Sequence, residues 1–443
     1  MIGARPFALG LVAVGIVAAP AHAQDKAEPK QEKRETDTIA WQHGSDAPAT
    51  LTGEWGGLRT RLRDDGVDLT VAYVSETAAN ISGGERKEVR ETGQFAFGAT
   101  VDTGKLIGLE GGKLQATVTF RRGYDLGAAA DLGVLQQVQE VYGRGQTWRL
   151  TQLWYQQSFA NDAVDVKLGR LTQGEDFAAF SCLQQNLSFC GSPPGNLAGD
   201  YWYNWPISQW GARVRAKGKQ GYVMAGVYEV NPRNLDNDFF VGHFKGAKGV
   251  LVPVELGLTP RVGTKGLPGA YRFGGWYNSA QGDDVLLDEK GGYSAVTGLA
   301  PLKRRGRYGV YAQFQQQFTG TADGDKTTKG LVGFLNLTQA DRRTTVTDNQ
   351  IAAGLSYTGP FKGRPADEIA LAIARTHVNS RAVQWFAPGR ERPGSEYAAE
   401  LAYCFHLIDW LSLRPNLQYV VNPGGYRRAN DVVVLGLKAS VAL

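Results

Sequence analysis

The side chains best placed to act on another molecule are guanidiniums, carboxylates and carboxamides that recur at every second position. Thr119 and Arg121 are two apart, as are Arg213 and Arg215, and Arg414, Asn416 and Gln418 continue the same step. Glu229, Arg272 and Gln313 stand in comparable segments, between apolar neighbours, and Gln315 follows two residues after Gln313. In an extended chain a step of two gathers such groups on one face, with the apolar residues on the other. That face offers many hydrogen-bond donors and acceptors. It does not offer a reaction centre. A nucleophile needs a base and an orienting group within reach, and His377, Asn379 and Ser380 are the only local set, with neighbours pointing to opposite sides of a strand. There is no Gly-x-Ser-x-Gly motif. Beyond the first two dozen residues His43, His243, His377 and His406 stand at no ligand spacing from the cysteines, so neither a metal nor another cofactor is expected. The chemistry on offer is weak, reversible recognition of a polar solute, and an enzyme is not expected.

The elements that carry these groups follow from length and composition. The chain has 443 residues, 48 Lys+Arg against 43 Asp+Glu, and 57 Gly, nearly twice the usual share of about 7%. The charges are interspersed, which argues against a nucleic-acid partner. Past the N-terminus no apolar run approaches the roughly 20 residues of a spanning helix. Instead, segments of about ten residues alternate apolar with polar and are bounded by Gly, Pro, Asn or Asp. Leu411, Leu413, Pro415, Leu417 and Tyr419 share one face, opposite Ser412, Arg414, Asn416 and Gln418. Val433, Leu435, Leu437, Ala439, Val441 and Leu443 share another, opposite Gly436, Lys438 and Ser440.

Sixteen such segments are predicted, at about 67–80, 92–103, 113–123, 147–159, 163–173, 207–217, 221–230, 248–259, 269–278, 307–318, 328–339, 350–359, 368–378, 394–405, 411–421 and 431–442. Counted from the first, the odd connections are mostly long and the even ones mostly short, which is the loop pattern of an outer-membrane barrel. Aromatics near strand ends (Trp148, Tyr222, Tyr271, Tyr308, Tyr419) suit interfacial girdles. A soluble sandwich shares the period of two but not the loop alternation. The fold class expected is all-β: a 16-stranded antiparallel transmembrane β-barrel with a short N-terminal periplasmic helical segment.

Residues 1–23 read as a signal peptide, with Arg5, an apolar stretch from Phe7 to Ala19, and Ala21-His22-Ala23 as the cleavage site. Residues 24–50 are polar, charged and aperiodic, a disordered periplasmic lead-in to the barrel of 51–443. Export permits disulfides, and Cys182 and Cys190, eight apart before Gly and Pro, read as a loop staple. Cys404 reads as a packed thiol.

Several blocks are more specific than composition. LTGEWGGLRTRLRDDGVDL (51–69), QEVYGRGQTWRLTQLWYQQ (139–157), KLGRLTQGEDFAAFSCLQQNLSFCG (167–191), PISQWGARVR (206–215), GVYEVNP (226–232) and RPNLQYVVNPGG (414–425) run in order over nearly the whole chain. Together they resemble the OprB-type carbohydrate-selective porins of Gram-negative outer membranes. The resemblance implies a sixteen-stranded sugar channel in the outer membrane, in contact with its lipid and lipopolysaccharide. The terminal Ser440-Val441-Ala442-Leu443 departs from the aromatic end usual in such strands. Within the Trp-Gly-Gly block, Leu58 and Leu62 with Arg59, Arg61 and Arg63 suit a short helix ending near Gly66, whose expected role is to seal the periplasmic mouth.

A sugar presents hydroxyls around its rim and a faintly apolar ring face, so a pore that passes it needs polar wall groups and an aromatic. The expected constriction residues are Arg121, Glu140, Arg213, Glu229, Arg414, Asn416 and Gln418. Glu140 stands in a long outer loop expected to fold inward, opposite Arg121. The longest loop, 174–206, carries the staple and the run DYWYNWPISQW, whose Trp202 and Trp205 are candidates for stacking on sugar rings. The alternative function is general diffusion of ions and small solutes, which differs only in the constriction. With too few residues ahead of the first strand for a plug domain, an energy-coupled receptor is not expected. No trimer-forming segment is visible, so a monomer is preferred over a trimer.

Overall fold

The computed structural model describes residues 49–443. The expected signal peptide and nearly all of the lead-in lie outside the described residues. Sixteen strands form one antiparallel sheet closed on itself: β1 Val67–Ser82, β2 Val89–Asp102, β3 Gly112–Gly123, β4 Trp148–Phe159, β5 Val164–Leu171, β6 Gln209–Gly218, β7 Gly221–Val230, β8 Gly249–Leu258, β9 Leu267–Asn278, β10 Arg307–Gln317, β11 Lys326–Ala340, β12 Thr347–Thr358, β13 Glu368–Val378, β14 Ser395–Ile408, β15 Leu411–Val421 and β16 Val432–Ala442. Each pairs with its sequence neighbour, and β16 pairs with β1 from Ala72 opposite Ala442 to Ser82 opposite Val433. Closure leaves no edge, so every backbone group of the wall finds a partner without water. The sequence-based segments agree with these strands to within three residues at either end, and at 221–230, 368–378 and 411–421 the limits coincide.

Alternation decides which side each residue sees. Val250, Val252, Val254, Leu256 and Leu258 on β8 are exposed on the outer wall, while Leu251 and Glu255 between them are buried on the inside. Trp148, Tyr308 and Tyr419 are exposed on the outside, as the girdle reading expected. Tyr222 is a correction. It lies on the inner face with Met224, and its hydroxyl donates to Glu255 Oε1 at 2.5 Å. A phenol at a strand end turns inward when a buried carboxylate there needs a donor.

Four of the loops after odd strands are long, at 124–147, 172–208, 231–248 and 279–306, whereas the one after β11, residues 341–346, is short. The first connection contracts to 83–88 because its flanking strands continue further than expected. A small hairpin, Gly282–Asp288 with Pro301–Arg304, stands on the long-loop side outside the barrel sheet.

The N-terminal helix is α1, Leu58–Asp64. Gly66 ends it at φ +92°, and a Cβ there would stand 2.8 Å from the Asp102 carbonyl, so only glycine lets the chain turn into β1 against β2. Arg59 is buried 4.7 Å from the Trp55 ring and donates to Thr50 Oγ1 at 2.6 Å and Leu69 O at 3.1 Å. The Leu51 amide donates to Ala442 O at 2.8 Å. The segment is therefore stitched to the seam where β1 meets β16.

Candidate functional site

Two long loops depart from the rim and return into the lumen, and four wall carboxylates hold them there. Glu76 on β1 accepts the Val141 amide at 3.1 Å. Glu400 on β14 accepts the amides of Gln185 and Asn186 at 2.9 and 2.8 Å. Glu396 accepts Leu135 and Gln136, at 2.6 and 3.3 Å, and Gly424 at 2.9 Å. Glu255 on β8 accepts the Ala178 amide and the Tyr311 hydroxyl, both at 2.7 Å. A loop carried into a barrel loses water from its amides, and a carboxylate facing two of them replaces that water with charge-assisted bonds. Each of these four residues is buried.

Amide side chains complete the attachment. Gln418 donates to Val138 O at 3.0 Å and accepts from Asn186 Nδ2 at 2.9 Å, and Asn416 donates to Gln185 Oε1 at 2.8 Å. Both were expected at the constriction. They face inward as expected, but they are buried beneath the loops and hold them. Arg213 is buried likewise, in a network with Asp165, Asp176 and Lys167, where Lys167 Nζ stands 3.1 Å from Asp176. Asp176 belongs to the short helix Gln173–Asp176, so this network pins the start of the second loop to the wall.

Trp202 is another correction. It is fully buried, with its ring 5.1 Å from Trp276 and 6.2 Å from Tyr311, and its Nε1 donates to Ser192 Oγ at 3.0 Å. Neither face is open to a sugar. Beside it the Tyr201 hydroxyl accepts from Trp276 Nε1 at 3.0 Å, and burial pushes that phenol up to about 12. The aromatic run thus serves mainly to seal the loop against β9 and β10.

Glu229 is a third correction. It shares its strand face with Val223 and Val227, both exposed on the outer wall, whereas Met224, Tyr228 and Val230 point inward. It stands at the last turn of β7 and accepts the Trp210 amide at 3.2 Å and Asn234 Nδ2 at 3.1 Å. The expectation misjudged the parity of a strand whose inner face is itself apolar and aromatic.

What remains is a cavity of about 430 Å³, within the size range of small-molecule sites. The wall contributes Arg121, Lys438 and Gln94; the first loop Glu140, Gly143 and Arg144; the second loop Glu175, Phe180, the Cys182–Cys190 pair, Asn204 and Trp205. Toward the short-turn end it is lined by Gln315, Glu368, His406 and Arg414. Of the expected constriction residues, Arg121, Glu140 and Arg414 are here, with Trp205 among the aromatics.

Arg121 and Glu140 line the same cavity but make different primary contacts. Arg121 donates through Nε to Gln94 Oε1 at 2.8 Å and through Nη1 to the Gly143 carbonyl. Glu140 opens the single turn Glu140–Tyr142 and accepts from Lys438 Nζ at 3.0 Å. Lys438 also stands 3.1 Å from Glu76 and donates to the carbonyls of Cys182 and Gln184 at 3.2 and 3.1 Å. Alternation had placed Lys438 on the inner face, but its partners lie in other loops and could not be read from its own strand. Arg144 donates to Gly199 O at 2.8 Å, joining the two loops, and burial lowers its pKa against the pull of Tyr203 and Asp200. Trp205 is half-buried and donates through Nε1 to Gln94 Oε1 at 2.9 Å, which fixes its ring beside Arg121. Cys182 and Cys190 are disulfide-bonded, as the spacing suggested, and Cys404 is a free, buried thiol on the inner face. The arrangement supplies cations and carboxylates close together with an aromatic ring, in a passage lined by amides.

The described features have counterparts elsewhere. Residues 86–443 match the family described as carbohydrate-selective porin, OprB family. Porin B of Pseudomonas aeruginosa is 44% identical over 410 residues, which cover 88% of this chain and 90% of that protein. The high-pH structure of Pseudomonas putida OprB superposes with a TM-score of 0.83 at 40% identity, covering 90% of this chain and 100% of that one. Salmonella typhi OmpF, solved with daunomycin, is 10% identical with a TM-score of 0.50, over 85% of this chain and 98% of that one, which shows the fold alone.

Proposed function

Because this chain belongs to the OprB family of carbohydrate-selective porins, outer-membrane channels for sugars, we propose that its selectivity resides where Arg121, Glu140, Lys438 and Trp205 meet in the lumen, and that it passes neutral, glucose-like sugars passively. The observation that carries this reading is the pairing of opposite charges around one aromatic face. Lys438 stands between two carboxylates, and Arg121 and Trp205 share Gln94 Oε1. Charges compensated in this way leave little net field to favour an ion, yet present many donors and acceptors to hydroxyls. Arg414, deeper in the passage, offers a second set of donors. Binding stays weak because each polar group already has a protein partner, so a sugar exchanges one hydrogen bond for another. No covalent step is assigned to any of these residues.

The test is conductance of the refolded protein in a planar bilayer with glucose titrated into the bath. Current should fall at millimolar glucose and stay unchanged with a non-sugar osmolyte of similar size. A large current indifferent to every sugar overturns the assignment of selectivity to this cluster.

A further inference from the structure

The corrected position of Glu229 leads to the outer wall. Trp210, Ala212 and Val214 on β6 alternate outward, and the pairing of β5 with β6 sets Arg170 opposite Trp210 and Leu168 opposite Ala212. Arg170, Trp210 and Glu229 therefore stand together on the outside, at the long-loop rim. An ion pair on that side would meet the edge of the lipid. The 231–248 loop covers it. Asn234 donates to Glu229 Oε1 at 3.1 Å and accepts from Arg170 Nη1 at 3.0 Å, while Arg170 also donates to Ser208 O at 2.8 Å. Asn234 and His243 are buried under the loop's own turns. Phe244 stacks on Trp210 at 6.0 Å, and Gly242 lies so close that a Cβ there would stand 2.8 Å from Trp210 Nε1.

The loop thus hides two charges and in exchange shows an apolar surface. Phe239, Phe240, Val241 and Phe244 are all about half exposed or more. On β7 and β8, the strands that the loop joins, Val223, Val227, Val250 and Val252 are likewise exposed on the outer wall. In the loop itself Lys245 and Lys248 are exposed, while Asp236 has a cationic neighbour in Arg233 at 3.5 Å and Asp238 stands 3.3 Å from His243 Nε2. Aromatics beside lysines at a bilayer edge match the interfacial pattern of apolar insertion with cations at headgroup level.

We propose that the 231–248 loop seats in the outer leaflet, its phenylalanines among acyl chains and Lys245 and Lys248 against the phosphates of a phosphorylated glycolipid such as lipid A. The proposal stands apart from the sugar reading, since these side chains line no part of the lumen cavity.

The full chain, folded and delipidated in detergent, is exposed to mixed micelles of bisphosphorylated lipid A and phosphatidylcholine, and retained lipid is counted by native mass spectrometry. Wild type should retain lipid A in preference to phosphatidylcholine. K245Q/K248Q should retain about thirtyfold less, from roughly 1 kcal/mol for each of the two lysines at a charged surface and about 1.4 kcal/mol per factor of ten, and K245R/K248R should keep wild-type retention. Lys219→Gln with Lys265→Gln, on the short-turn side, should change nothing. Every variant should retain the glucose response of wild type, which shows an intact barrel. Equal retention in wild type and K245Q/K248Q overturns the proposal, as does an equal loss in the short-turn variant. Multimers that dissolve on Phe240→Ser with Phe244→Ser, without any change in lipid, would assign the patch to a second copy of the chain and overturn it too.

Discussion

Lys438 Nζ lies 3.0 Å from Glu140 Oε1, although 298 residues separate them in the chain. The lysine comes from the last strand of the barrel and the carboxylate from a loop after the third. Together with Glu76, which is 3.1 Å from the same ammonium, they form a buried triad that fixes the first loop against the wall. Removing one partner of such a group leaves an uncompensated charge, which costs more than the pair contributes.

Lys438→Met should therefore release the turn at Glu140. The cost should be about 3–5 kcal/mol, the range for breaking a buried pair, and it should fall on the loop, since the barrel ladder does not depend on it. Larger, noisier single-channel currents with unchanged heat-modified gel mobility are the expected result. Quiet wild-type currents would mean the loop is held without the triad.

Arg121→Ala should shift the channel toward cations and weaken glucose block. Trp205→Ala should weaken glucose block by up to about tenfold, equivalent to about 1.4 kcal/mol, with little change in ion selectivity because the indole carries no charge. Trp202→Phe provides the contrast: it should lower stability and leave the half-blocking glucose concentration where it was. Reversal potentials and glucose titrations on the three variants separate these outcomes.

Glu400→Ala deprives the amides of Gln185 and Asn186 of their acceptor. Each charge-assisted bond is worth about 1.5–3 kcal/mol, so hydrogen exchange at 185 and 186 should accelerate by more than tenfold. Exchange across the β14–β15 ladder should not change.

Reduction of Cys182–Cys190 should broaden current fluctuations without unfolding the barrel, because the bond closes a small ring within the second loop and no strand depends on it. Electrical recording before and after a membrane-permeant reductant reads this directly.

Acid should loosen the outer hairpin first. Asp284 is buried, which alone would raise its pKa, but hydrogen bonds from the Leu287 amide, Arg304, the Leu286 amide and Arg381 hold it down at about 2. A carboxylate whose folded pKa lies below its unfolded value stabilises fully above the unfolded value, near about 3.9, and loses that contribution as pH falls toward 2. Proteolysis of the 279–306 loop by an acid-active protease should rise between pH 4 and about 2, and Asp284→Asn should be cleaved readily already at pH 4.

The sequence by itself determined the wall. A period of two leaves a strand only two faces, and in a closed barrel one must suit lipid and the other water or covering loops. Arg121, Arg414, Asn416, Gln418 and Lys438 were thereby placed inside before any contact was known. It failed at Glu229 and Tyr222, where an inner face that is largely apolar and aromatic made β7 look reversed. The tertiary structure decided which inward groups remain open. Glu76, Glu255, Glu396 and Glu400 were on inner faces, yet their work depends on amides from distant loops. So does the difference between Trp205, left beside the passage, and Trp202, three residues earlier and sealed against Trp276. Alternation is a local property of extended chain, whereas coverage depends on where a long loop comes to rest, and that is fixed by contacts from some 65 to nearly 300 residues apart.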